Sequence, residues 1–309
     1  MTAENVVDFD KKYRSVLGGK SRTGDETEEP KPSVVVETLA TLEPFIHELW
    51  HTPSREAMLT SRSADGIDTH LSFASPETAE YLGYRFFQKM QKPVSETTMK
   101  AVISLLSARA RYEGDQHPVF SRIAHHDERV YVDLGDDRHR AVCIDPDFLP
   151  IGWKVIESAD IPVRFRRSKS ALALPVPVAG ASLDSLRTIF PNISNDDWML
   201  IVGWLIGCFQ QHGGRAFLEL LGGQGSGKST LARYLVALVD PNDVPLRSMP
   251  KSEQDLLISV LWRSIAGLDN VSYVAPELAD ALCRLSTGAG ISTRPVSYTH
   301  LTLPTKRIV

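Results

Sequence analysis

Gly222-Gly223-Gln224-Gly225-Ser226-Gly227-Lys228-Ser229-Thr230 decides how the C-terminal half of this chain is read. The stretch satisfies G-x-x-x-x-G-K-[ST] at every fixed position. Residues 216–221 before it read as a short buried strand, and residues 231–239 after it carry apolar side chains at helical spacing. A strand, a glycine loop and a helix start are what a nucleotide-phosphate site needs. Glycines let the backbone curl so that N–H groups turn inward on an anion, and the helix offers its positive N-terminal end to the same charge. Lys228 is placed to reach the β- and γ-phosphates, and the Ser229 hydroxyl to ligate Mg²⁺. All nine residues from Gly222 to Thr230 are thus candidate nucleotide contacts, with ATP and Mg²⁺ as the implied cofactors. A glycine-rich turn with a chance Lys-Ser is the plain alternative, and the flanking strand and helix patterns disfavour it.

Composition bounds the rest. A length of 309 residues suggests two domains, and 42% apolar residues suffice for ordinary cores. The net charge of −4 lacks the overall basic signature of a nucleic-acid binder, although a locally basic channel is compatible with it. Cys143, Cys208 and Cys283 are far apart and odd in number, which implies a reducing cytoplasm and no disulfide framework. No metal-ligand spacing is present, and His125-His126 reads as a polar turn. Met1-Thr2-Ala3-Glu4-Asn5 does not open a leader with a basic region and apolar core. The most apolar run, residues 198–209, is too short to span a bilayer and reads as a buried helix, so no membrane partner is expected.

Four segments follow from the pattern. Residues 1–35 read as a disordered N-terminal segment and linker, rich in Gly, Ser, Glu, Lys and Pro. Residues 36–175 read as a smaller α+β domain. Its first part, to residue 128, looks mainly helical, with helices opening at Ser75 and Ser95 and Val102, Leu105, Leu106 and Ala110 on one face. Residues 129–134 and 140–144 around Gly135-Asp136-Asp137 carry a hairpin signature. Arg164, Arg166, Arg167 and Lys169 beside Phe165 form a basic strip, a candidate nucleic-acid contact. A solvated edge strand protected by its charges is the slightly favoured alternative. Residues 173–178 read as an extended linker.

Residues 176–294 read as an α/β P-loop NTPase domain, a parallel sheet flanked by helices and left incomplete. Hydrolysis needs a carboxylate at the end of a neighbouring strand to help hold Mg²⁺. Asp269, ending the apolar stretch 263–268, is the candidate, with a turn-forming Asp-Asn pair as the alternative. The next residue is Asn270, where many P-loop ATPases carry a glutamate. An amide can orient water but cannot take its proton. Residues 295–309 contain Val296-Ser297-Tyr298-Thr299-His300-Leu301-Thr302-Leu303-Pro304-Thr305, which looks like a translated sequencing adapter and is expected to be an artefact.

Asp269-Asn270-Val271-Ser272, the stretch 278–288 and Ser292-Thr293-Arg294 resemble a family of bacterial and phage ATP-binding proteins encoded on mobile elements. Members often lie next to, or are fused with, primase domains, and are similar to superfamily 3 helicases and the wider AAA+ group. The hairpin and the basic strip resemble that family's region upstream of the ATPase, so the likeness runs over residues 95–294. It implies a helicase-like ATPase acting on DNA in the replication of a phage, plasmid or integrated element. It also implies a homo-oligomeric ring when full length, with primase as a partner. Lys228, Asp269 and Asn270 are then the catalytic candidates, Ser229 and Asp269 the metal ligands, and Arg294 a further nucleic-acid contact. The family pattern retains an asparagine after the aspartate. Its polar sensor strand and arginine finger belong after Arg294, so this chain is expected to bind nucleotide poorly and to hydrolyse it hardly at all. Two other readings stay open: a non-motor ATP-binding regulator or loader, and, against the large N-terminal region, a P-loop small-molecule kinase.

Overall fold

Ser33 is the N-cap of α1 (Val34–Leu42), its Oγ accepting from the Val36 N–H. The computed structural model describes residues 33–210, 216–260, 263–287 and 307–308. The expected disordered segment up to residue 32, the adapter-like stretch up to residue 306 and Arg294 lie outside the described residues.

The stretch read as mainly helical holds a sheet instead. β1 (Glu48–His51), β2 (Ala57–Arg62) and β3 (Asp68–Ser72) form an antiparallel meander, and the short β4 (Asp115–Gln116) joins β1 in parallel. The strand period was hidden because β2 is covered on both faces: Ala57, Met58, Leu59, Thr60 and Ser61 are all buried, so apolar and polar residues do not alternate cleanly. α2 (Pro76–Met90) and α3 (Glu96–Tyr112) start where expected, capped by Ser75 and Ser95. Met99, Val102, Leu106 and Ala110 form the buried face of α3, while Leu105 faces solvent, contrary to expectation. Leu39, Leu42, Leu59, Leu82, Phe86, Val102 and Leu106 join the first sheet to the three helices in one core.

The predicted hairpin is the centre of a second meander. β6 (Ile123–His126), β7 (Arg129–Asp133), β8 (Ala141–Ile144) and β9 (Trp153–Ile156) pair antiparallel in sequence order. His125 and His126 thus lie in a strand rather than a turn. β5 (Val119–Phe120) and β10 (Arg164–Phe165) form a two-residue parallel pair.

The C-terminal part has α4 (Asp184–Ile189), α5 (Asn195–Gly207), α6 (Lys228–Val239), β11 (Leu246–Ser248), α7 (Glu253–Val260), β12 (Ile265–Asp269) and α8 (Pro276–Thr287). β11 and β12 pair in parallel, and β13 (Arg307–Ile308) lies along the other edge of β12. Trp198, Ile201, Trp204 and Leu205 of α5 pack on Leu231, Leu235, Val236 and Val239 of α6. Residues 216–221 are not in a ladder among the described residues, which corrects the expected strand. β11 pairs with Gly267, Leu268 and Asp269 of β12, and β13 with Ile265 and Ala266. Leu218 and Leu220 nevertheless alternate onto the α5–α6 core, and the Ala216 carbonyl accepts from Trp204 Nε1 at 3.0 Å.

Gly267 lets β11 and β12 close up. A Cβ there would stand 2.5 Å from Leu246 Cδ2 and 2.7 Å from the Pro245 carbonyl oxygen. The backbone oxygen cannot rotate aside, so Gly267→Ala is expected to destabilise the chain by about 1–3 kcal/mol, as overpacking does. Denaturant unfolding measures this; an unchanged midpoint would show that β11 yields freely.

Candidate nucleotide site

The quoted glycine loop runs straight into α6, whose first helical residue is Lys228. Gly225 and Gly227 have φ of 79° and 87°, left-handed backbone that glycine adopts without a Cβ penalty. Gly227 is also the N-cap, and its carbonyl accepts from Leu231 N–H at 2.9 Å, so the helix starts immediately behind the loop. The first N–H groups of such a helix have no partner inside it and face the loop.

Lys228 curls back over the same loop. Its Nζ donates to the carbonyls of Gly222 and Gly223, both at 2.7 Å, and lies 3.1 Å from Ser226 Oγ. The ammonium is therefore held at the loop's centre by the backbone that would surround a phosphate. Gln224 and Thr230 sit exposed on the rim.

The second half of the site comes from β12. Asp269 is its last residue, and Asp269 Oδ1 accepts from Ser229 Oγ at 2.9 Å. Forty positions of sequence separate the two residues. The same Oδ1 accepts from the Asn270 N–H at 3.0 Å, and Asn270 has a φ of 57°. Asparagine tolerates that conformation better than most residues. The turn reading of Asp-Asn and the strand-end reading thus hold together: the strand stops at Asp269 and the chain turns sharply at Asn270. A hydroxyl that gives its hydrogen to a carboxylate keeps its lone pairs for a cation. Ser229 and Asp269 therefore offer hard oxygen donors of the kind Mg²⁺ takes. Among the described residues no cluster of three His, Cys, Asp or Glu side chains is arranged for a metal.

The basic strip is engaged within the fold. Arg164 pairs with Glu48 at 2.8 Å and lies over the Trp50 ring, 4.3 Å from its centroid. Arg166 pairs with Glu56 at 2.9 Å, and Arg167 forks onto Asp133 at 2.6 and 2.9 Å. Lys169 is exposed and pairs with Glu77 at 2.9 Å. The solvated-edge expectation fails for the three arginines, because the partly buried strip needs its positive charges matched by carboxylates.

Arg164 also borders a polar cleft of about 410 Å³ between the first sheet and β10, where His70 is enclosed. Burial, and then the Arg164 charge, push the His70 imidazole down to about 4. Thr60 Oγ1 accepts from Trp50 Nε1 at 2.9 Å and faces Arg164 Nη1 at 3.4 Å, so its one hydrogen goes to His70 Nδ1 at 2.9 Å.

Sequence reading missed the residues at the far ends of α6 and β12. Asp240, Arg263 and Arg122 are buried there, and Arg122 meets Asp240 across 118 positions of sequence. Val239-Asp240-Pro241-Asn242 signalled only a helix end, and nothing local marked Arg122.

The comparisons bear on this half of the chain. It resembles the replication proteins of mobile elements: residues 183–301 match the family model AICE_RepA, the actinomycete integrative conjugative element replication protein. The match supports a role in mobile-element DNA replication. It takes in the glycine loop, Ser229 and Asp269, and it runs past position 295, where the adapter-like tail was expected to begin. No curated protein and no solved structure matches the chain. No helix among the described residues is long and apolar enough to cross a membrane.

Proposed function

We propose that the chain binds Mg·ATP at the loop 222–230 and serves as a helicase-like ATPase in the replication of a phage or other mobile element, acting on DNA as a ring of identical subunits. One observation carries this reading: the Ser229 hydroxyl meets the Asp269 carboxylate at 2.9 Å. Two residues with no reason to pair in an ordinary turn are what a metal-bound nucleotide requires of a loop and a neighbouring strand. The replication family over residues 183–301 gives the nucleotide a purpose.

Each residue then has a task. Lys228 exchanges its loop carbonyls for the β- and γ-phosphate oxygens. The N–H groups of the loop and of the α6 start hold the same oxygens. Ser229 and Asp269 would hold Mg²⁺, which supplies charge neutralisation at the phosphates. Asn270 stands beside Asp269, where its amide can orient a water molecule without taking its proton. That residue favours the second reading, an ATP-binding regulator or loader with little turnover.

Fluorescent Mg·ATP-analogue binding by the full-length protein, restored beyond Arg294, and phosphate release with and without single-stranded DNA, test the proposal. Tight binding with DNA-stimulated turnover is expected of the motor. Tight binding without turnover selects the regulator, and absence of binding overturns both. Asp269→Ala should reduce turnover at least tenfold more than it reduces affinity; equal losses would make Asp269 a structural residue.

A further inference from the structure

The two elements that carry the site are fastened at their far ends by one carboxylate. Asp240 closes α6, its N–H donating to the Val236 carbonyl at 2.8 Å, and it is 5% exposed. Its Oδ2 accepts from the Ser264 N–H at 2.7 Å, at the start of β12. Its Oδ1 accepts from Arg122 Nε at 3.0 Å. Arg122 lies between β5 and β6, in the N-terminal part, and is among the largest fully buried side chains. It also donates to the carbonyls of Asp133 at 3.1 Å, Leu172 at 2.8 Å and Pro241 at 3.4 Å. Arg263 extends the joint, donating to Asn242 Oδ1 at 2.8 Å.

Lengths make this fastening consequential. α6 has 12 residues, about 18 Å at the helical rise. β12 has five, about 17 Å at the strand rise. Elements of equal reach that start from one carboxylate finish level, and at that finish Ser229 meets Asp269. We propose that Asp240 and Arg122 are positioning residues for the nucleotide site. They set the Ser229–Asp269 spacing from the opposite end of the elements and tie that spacing to the domain that supplies Arg122. Movement of that domain thereby alters how well the site holds a metal-bound nucleotide. The inference rests on the nucleotide reading above.

Asp240→Asn tests it. The amide keeps the shape, but it cannot accept from both Ser264 and Arg122, because one of them then faces an N–H. A fluorescent ADP analogue is titrated into the full-length protein, restored beyond Arg294, once with Mg²⁺ and once with EDTA. The variant should lose about tenfold in the Mg²⁺ arm, or roughly 1.4 kcal/mol, and less than about twofold in the EDTA arm. Arg122→Lys, which keeps the charge without the planar fork, should fall between the variant and the wild type. Should Asp240→Asn fail to fold by circular dichroism, Arg122→Lys decides alone. Unchanged affinity, or equal loss in the two arms, overturns the positioning role while leaving the nucleotide reading intact. No binding by the wild type overturns the nucleotide reading, and the positioning role falls with it.

Discussion

Lys228→Ala is expected to weaken Mg·ATP binding by at least about a hundredfold, or roughly 2.7 kcal/mol. The ammonium already sits inside the loop on the Gly222 and Gly223 carbonyls. Its replacement removes the positive charge from the place where phosphate charge accumulates, and one hydrogen bond to a charged group alone is worth about 1.5–3 kcal/mol. The fold should tolerate the change, because Lys228 is the first residue of α6 and alanine favours helix. Isothermal titration of the variant, with circular dichroism as the control, gives the answer. An affinity within about twofold of wild type would remove Lys228 from the phosphate site.

Acid should weaken the N-terminal part through His70. Its folded pKa of about 4 lies below its ordinary 6.5, so the unfolded chain takes up a proton first as the pH falls. The stability that depends on a neutral His70 is complete above pH 6.5, declines through the interval and is gone below pH 4, a loss of about 3 kcal/mol. The imidazole accepts from Thr60, so a protonated ring would set one donor against another. Arg164 repels the charge while Asp68 offsets part of that repulsion, and His139 and His117 oppose it. Both of those histidines are also held below their usual range, chiefly by burial, so their contributions have the same sign. His70→Gln should flatten the difference between urea stabilities at pH 7 and pH 4 by about 3 kcal/mol. An unchanged difference would exclude His70 as the source.

What the sequence revealed was local, and what it concealed was distant. The glycine loop, the helix behind it and the strand ending at Asp269 are each written in adjacent residues, and all have counterparts in the structure. The caps at Ser75 and Ser95 were legible because a serine hydroxyl bonds only a few residues onward. β2 was not legible, because burial on both faces erases the alternation that marks a strand. The Arg122–Asp240 joint could not be read, since nothing in either neighbourhood refers to the other. The arginine strip misled for the same reason: its partners Glu48, Glu56 and Asp133 belong to earlier strands and loops.

Those pairings also set what the strip can contribute to nucleic-acid binding. Arg164, Arg166 and Arg167 carry their counterions within the protein, as fixed carboxylates at 2.6–2.9 Å. A phosphate meeting one of them would exchange one bound oxyanion for another, without the gain in small-ion entropy that makes ordinary protein–DNA contacts strongly salt-dependent. Affinity routed through this surface would hardly respond to ionic strength, and a steep salt dependence would have its origin elsewhere on the molecule.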